Sequence, residues 1–211
     1  MKQIQKSFDK KLIAGLPVAD FPGRIIVILT AGETERAVRY LLSQPLLGID
    51  TETRPSFKRG QQNTVALLQV STTDTCFLFR LHHTGFTPAL KRFLEDKTVE
   101  KVGLSLTDDM NSLHRLGDFT PGRFTDIQDM VKEVGIDDMS LQKIYANLFA
   151  RKISKRQQLS NWDADILSDR QKQYAATDAW ACLNIYNELQ RLIRTKDYTL
   201  IEAPQLLTPN S

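Results

Sequence analysis

At 211 residues the chain fits one domain and is long enough to bury a substantial core without staples. A hydrophobic fraction of 41% and a charged fraction of 25% are ordinary for a soluble globular protein, and the apolar runs are far too short for a membrane span. The net charge of +3 permits a polyanionic partner without demanding one. Cys76 and Cys182 both sit in apolar runs without CxxC spacing, which fits two buried small hydrophobes. The opening MKQIQKSFDKK is charged and is not followed by an apolar stretch with a cleavage site. No signal peptide is therefore expected, and a cytoplasmic, reducing compartment is the expectation.

Residues 1–23 are expected to be irregular, with Pro17, Pro22 and Gly23 ahead of the first strong signal. GRIIVILT (23–30) reads as a buried strand. AGETERAVRYLLSQ (31–44) reads as a helix opened by Thr30 with Glu33 three residues later, and Pro45 stops it. LLGIDTET (46–53) is a second strand. NTVALLQVS (63–71) and TCFLFRL (75–81) follow as two more, joined by the polar turn Thr72-Thr73-Asp74 and expected to pair as a hairpin. Residues 85–96 carry helical spacing, with Pro88 tolerable in the first turn. VEKVGL (99–104) reads as a strand, and TDDMNSLHRLG as a helix ending at Gly117. From about residue 125 the pattern is mainly helical. SLQKIYANLF (140–149) is amphipathic and ARKISKRQQLSNW (150–162) is a basic loop. Ser168 with Gln171 opens a long last helix to about residue 195. The tail from 196 to 211 is expected to be loosely held. The sum is an α/β domain with one sheet layer between helices.

Three settings in this pattern carry chemistry. In a strand, Asp50 and Glu52 point to one face, roughly 6–7 Å apart. Like charges that close raise each other's pKa and destabilise the fold unless a cation joins them. An oxygen-only ligand set favours Mg²⁺ or Mn²⁺ over zinc. Taken alone, D-x-E equally suits a solvated strand end. Tyr174 and Asp178, at i and i+4, share one helix face whose flank is largely apolar. Such a pair suits either a polar site turned inward or an Asp tied to an Arg beside a packed aromatic. Asp108 and Asp109 fall early in a helix, where acids are favoured by the dipole. The stripe Met110, Leu113 and Leu116 does not decide which of the two faces inward.

Taken together, IDTET, KVGLSLTDDMNSL and YAATD resemble the three motifs of the DEDD superfamily of 3′–5′ exonucleases. The tyrosine subgroup, which includes ribonuclease D and the exonuclease domain of the Werner-syndrome helicase, is the best likeness. The stretch SLQKIYANLFARKISKRQQLSNWDADILSDRQKQYAATDA (140–179) is similar to that family's approach to its last motif, and the likeness covers about residues 24–192. The resemblance implies a single exonuclease domain over 24–195, with a ribonuclease H-like mixed sheet flanked by helices. It assigns Asp50 and Glu52 to the first motif and Asp109 to the second, seven residues after Val102. Tyr174 and Asp178 fill the third. The related subgroup carries histidine at the position of Gln173, so the tyrosine form fits; His82, His83 and His114 read as loop and surface residues.

The resemblance further implies a two-metal mechanism with Mg²⁺ or Mn²⁺, the ions roughly 3.5–4 Å apart. Asp50 would bridge both ions, Glu52 and Asp178 complete one, and Asp109 hold the other through water. Tyr174 would orient the attacking water, since a phenol with a pKa near 10 is a poor base at neutral pH. A single-stranded 3′ end of DNA or RNA is the implied partner. Candidate substrate contacts are Thr51 within the first motif, Arg54, Phe57, Lys58 and Arg59 after it, and Lys155, Arg156 and Trp162 further on. Basic residues beside aromatics suit phosphate gripping and base stacking, and equally suit a solvated loop with core aromatics. Two other readings share parts of the pattern: a silent nuclease-like fold kept as a nucleic-acid binding module, and a phosphohydrolase acting on small molecules.

Overall fold

A computed structural model describes residues 1–55 and 63–202. In chain order these form β1 (Lys2–Gln5), α1 (Lys10–Ile13), β2 (Arg24–Ile28), α2 (Ala31–Leu41), β3 (Leu46–Thr53), β4 (Val65–Ser71), β5 (Thr75–Arg80), α3 (Leu81–Thr84), α4 (Pro88–Glu95), β6 (Glu100–Gly103), α5 (Leu106–His114), β7 (Phe124–Asp126), α6 (Ile127–Glu133), α7 (Leu141–Phe149), α8 (Asp169–Thr195) and β8 (Tyr198–Ile201). Among the described residues no helix is long and apolar enough to cross a membrane.

Six strands make one mixed sheet in the order β2-β5-β4-β3-β6-β7. The central β3, β4 and β5 run as an antiparallel meander. Both edges add parallel strands, β2 on β5 and β6 then β7 beyond β3. β4 and β5 are buried along their whole length, which is why their sequences read as unbroken apolar runs rather than as alternation. One face of the sheet is sealed by α2, α4 and α5 through Val38, Leu41, Leu90, Phe93 and Leu113. α8 covers the other face, with Ala175 and Ala176 over Leu67 and Leu78. Its outer side packs on α6 and α7 through Ile185, Leu189, Val131 and Ile144.

The helix starts are local events. Thr30 and Glu33 form a reciprocal capping box at α2, and Ser168 and Gln171 form another at α8, each satisfying otherwise orphaned N–H groups. Three expectations from sequence differ from the fold. Residues 1–23 are not irregular throughout, since they contain β1 and α1, and the tail from 196 is not loose throughout, since Tyr198–Ile201 pairs in parallel with Lys2–Gln5. That pairing joins segments almost 200 residues apart, so no local pattern announces it. The third difference is β7, three residues long inside a stretch read as helical. A strand that short takes its identity from β6 beside it, not from its own periodicity.

Candidate active site

β3 leaves the sheet's apolar interior at Ile49 and carries Asp50 and Glu52 on the face that α8 crosses. Strand alternation puts both on one side, with Thr51 on the other. Gly48, one residue earlier, fixes how close the helix can come: a Cβ there would overlap the Ala179 carbonyl and press on Leu183. With only hydrogen at that position, α8 settles onto β3 and delivers Asp178 beside the two strand carboxylates. Carboxyl oxygens of Asp50, Glu52 and Asp178 lie within 4.8 Å of one another. One turn back along α8, the Tyr174 hydroxyl lies close enough to Asp178 to favour its charged form.

Asp109 comes from a third element. Asp126, at the end of β7, accepts the backbone N–H groups of Ser105 (3.2 Å) and Leu106 (2.8 Å) as well as that of Gln128 (2.9 Å). One carboxylate therefore caps α6 and grips the start of α5. Ser105 enters α5 with φ 62 and ψ 40, a left-handed conformation that is unfavourable for a non-glycine residue and persists where its surroundings enforce it. So aimed, α5 turns Asp109 inward, where its Oδ1 accepts the Thr51 hydroxyl at 2.5 Å. Asp108 is exposed. The choice left open between these two by their spacing is thus resolved geometrically: Asp109 is the acid that meets β3.

Crowding raises the carboxyl pKa values together. Burial, then the neighbouring Asp109, Asp178 and Glu52, pushes Asp50 well above the usual range. Burial with Asp178 and Asp109 pushes Glu52 up to about 9. Asp109 rises to about 7 through burial and the charges of Asp108 and Asp126, against the stabilising Thr51 hydroxyl. Asp178 also rises to about 7, burial outweighing the Tyr174 hydroxyl and the Lys155 charge. Burial and the same carboxylates hold the Tyr174 phenol far above its ordinary value. The Asp178 Oδ1 is buried with no hydrogen-bond partner among the described residues. An orphaned carboxylate oxygen facing two more carboxylates is an unstable arrangement for anions alone and a good one for hard cations. The donors are all oxygen, so the residues fit Mg²⁺ or Mn²⁺.

Asp50, Glu52, Tyr174 and Asp178 line an open cavity of about 400 Å³ together with Ser105, Met139, Gln142 and Lys155, while Asp109 stands behind Thr51. Thr51 lines it while bonded to Asp109. Lys155 is exposed at the rim and close enough to Asp178 to favour its charged form. Arg156 follows it into an adjoining groove. Arg54 is exposed just beyond β3, its carbonyl accepting the Asn63 amide at 2.8 Å. Phe57, Lys58 and Arg59 lie outside the described residues. Trp162 is a correction. It is 0% exposed, so no base can stack on it; its ring packs 6.0 Å from that of Tyr174 and backs the phenol from inside the core. An aromatic beside a basic loop reads the same in sequence whether it faces solvent or the core. Reasoning from sequence also missed Gly48, Asp126 and Gln69. The first two have no motif of their own, and Gln69 hides inside an apolar strand.

A mixed β-sheet crossed by one long helix, with acids gathered from β3, α5 and α8, defines a ribonuclease H-like nuclease domain. The chain belongs to the 3′–5′ exonuclease family, whose model matches residues 25–194. It is 31% identical over 199 residues to the mouse bifunctional 3′–5′ exonuclease/ATP-dependent helicase WRN, covering 90% of this chain and 14% of that protein. It is 30% identical over 192 residues to an Arabidopsis thaliana 3′–5′ exonuclease, covering 83% of this chain and 67% of the relative. The fold is similar to that of Escherichia coli RNase D, an exoribonuclease involved in structured RNA processing, with a TM-score of 0.72 at 20% identity, over 82% of this chain and 45% of that one. The chain thus spans about a seventh of the mouse relative's length and less than half of the RNase D chain.

Proposed function

We propose that this chain hydrolyses phosphodiester bonds one nucleotide at a time from the 3′ end of single-stranded DNA or RNA, using two divalent cations, Mg²⁺ or Mn²⁺. The observation that carries the reading is the trio Asp50, Glu52 and Asp178, with ligand oxygens within 4.8 Å of one another and Asp109 adjoining Asp50. Family membership supports the reaction class, and the RNase D fold neighbour supports RNA as one substrate class. When bound, the cations would activate water and stabilise the leaving oxygen; Asp50, Glu52, Asp109 and Asp178 would hold them. Tyr174 is a phenol at neutral pH, as an ordinary tyrosine is, and burial beside the carboxylates reinforces that state. Its role is to orient the attacking water by hydrogen bonding, with Trp162 fixing the ring from behind. Lys155 at the rim offers a positive charge to the phosphate that loses its ester bond.

The test is a 5′-labelled single strand, as DNA and as RNA, incubated with the protein. Shortening from the 3′ end in Mg²⁺ or Mn²⁺, its absence in EDTA, and its loss in Asp50→Ala and Asp178→Ala are the expected results. Inertness on both strands under every metal condition would sink the enzymatic reading and leave a nucleic-acid binding module.

A further inference from the structure

We propose that a basic groove beside the carboxylate cavity, walled by the segment preceding β2, binds the sugar-phosphate backbone of a single strand on the 5′ side of the end being hydrolysed. The proposal rests on the exonuclease reading only for which end of the strand enters the cavity. The groove has a volume of about 830 Å³ and shares Gln142, Ile153, Ser154, Lys155 and Tyr174 with the cavity. A ligand can therefore run from one into the other past Tyr174.

Its charge is one-sided. Lys10, Lys152, Lys155, Arg156 and Arg170 line it, against the carboxylates Asp20 and Asp169. Asp169 is already paired with Lys172 at 2.7 Å, and the Lys152 amine donates to the Ala14 carbonyl. Among the described residues Lys10, Lys155, Arg156 and Arg170 form no ion pair. A groove that strings unpaired cations outward from a phosphodiester-cleaving site suits a continuous polyanion better than a single phosphate. One strand can thread such a groove into the cavity. A duplex would have to bring both backbones to it.

The wall is built, not incidental. Val18 bridges Lys152 in parallel, the Ala19 N–H donates to the Lys152 carbonyl at 2.8 Å, and the Lys152 N–H to the Pro17 carbonyl at 2.9 Å. The Gln173 amide donates to the Phe21 carbonyl at 2.7 Å, and the Phe21 N–H to the Thr177 hydroxyl at 3.0 Å. Residues 10–20 thereby become a fixed bank facing the loop 152–157. This bank lies outside residues 25–194, which the family model matches, whereas the loop 152–157 and the start of α8 that face it across the groove lie inside them.

Lys10→Glu/Arg170→Glu tests it, because both residues are exposed and neither touches the carboxylates; Lys10→Gln/Arg170→Gln is the milder pair. Anisotropy of a labelled single strand of about twelve nucleotides in EDTA, over a KCl series, reads binding without turnover. The charge reversal is expected to weaken binding about tenfold and to flatten the log–log salt slope by about 1.4, two phosphate contacts' worth. Hydrolysis of a dinucleotide with Mg²⁺ should be unchanged, while kcat/KM on the longer strand falls by a similar factor. Unaltered binding of the long strand, an equal loss on the dinucleotide, or a blunt duplex bound as tightly as the single strand would each overturn the groove assignment. A wild-type protein that cuts neither substrate refutes the exonuclease reading instead, and the anisotropy still decides the groove.

Discussion

Asp50 on β3 lies directly across the antiparallel ladder from Gln69 on β4, so the two side chains share the face covered by α8. Gln69 is 0% exposed, and neither its amide nitrogen nor its oxygen finds a hydrogen-bond partner among the described residues. A buried amide left unpaired costs about 1–3 kcal/mol, whereas an apolar group of similar shape avoids that penalty. Gln69→Leu is accordingly expected to hold or raise the melting temperature of the metal-free protein. Gln69→Ala, which leaves a void under α8, should lower it. Parallel thermal melts decide the matter, and a leucine variant clearly less stable than wild type would show that the amide has a partner in solution.

The raised carboxyl pKa values fix the sign of a pH effect. A carboxyl whose folded pKa exceeds its unfolded value contributes full stability below the unfolded value, near 4. That contribution is lost as pH climbs through the folded value, because the unfolded chain releases its proton first. Stability of the metal-free protein should therefore decline from about pH 4 to about 7, where Asp109 and Asp178 ionise in the fold, and further toward about 9 with Glu52. Mg²⁺ should flatten the curve, and Asp178→Asn should flatten it partly while abolishing hydrolysis. Denaturant midpoints across pH, with EDTA and with Mg²⁺, measure it. A metal-free protein that gains stability over this range would contradict the crowding of these four acids.

Gly48→Ala probes the contact that seats α8 on β3. The added methyl would overlap the Ala179 carbonyl, and backbone on one side leaves the helix nowhere to yield except outward. Overpacking of this kind costs about 1–3 kcal/mol. Because Asp178 is adjacent to Ala179, displacement of α8 also moves one acid away from Asp50 and Glu52. Both the denaturation midpoint and the rate on a labelled strand should drop. A variant with wild-type values for both would mean that the helix is not seated as closely as Gly48 allows.

How far the sequence foretold this arrangement depends on whether a signal is local. The bounds of β3, the two capping boxes and the β4–β5 hairpin are written in neighbouring residues and were legible. The carboxylates of β3 and α8 were legible as pairs because strand and helix periods place i,i+2 and i,i+4 on one face. Asp109 over Asp108 required a family resemblance, since the direction of α5 is set by Asp126 and the left-handed Ser105, not by helical spacing. The β1–β8 pairing and the burial of Trp162 depend on contacts between distant segments. Gly48 was invisible for the opposite reason. A glycine in a strand states only that something comes close, not that the visitor is the carbonyl beside one acid of the carboxylate cluster.

Asp126 is the most informative residue to alter outside the carboxylate cluster. Its oxygens hold the Ser105, Leu106 and Gln128 N–H groups, so Asp126→Ala strips the start of α5 and the cap of α6 together. The loss of stability should be about 1–3 kcal/mol, the range for leaving buried donors unpaired or removing a cap. Activity should fall by more than the unfolded fraction explains, because the left-handed turn at Ser105 loses the carboxylate that enforces it and Asp109 is no longer aimed at β3. Asp126→Asn keeps one accepting oxygen and should fall between wild type and Asp126→Ala in both measurements. Rates taken well below each variant's melting temperature separate the two effects. Full activity in a folded Asp126→Ala protein would mean that Thr51, through its bond to Asp109, positions that acid unaided.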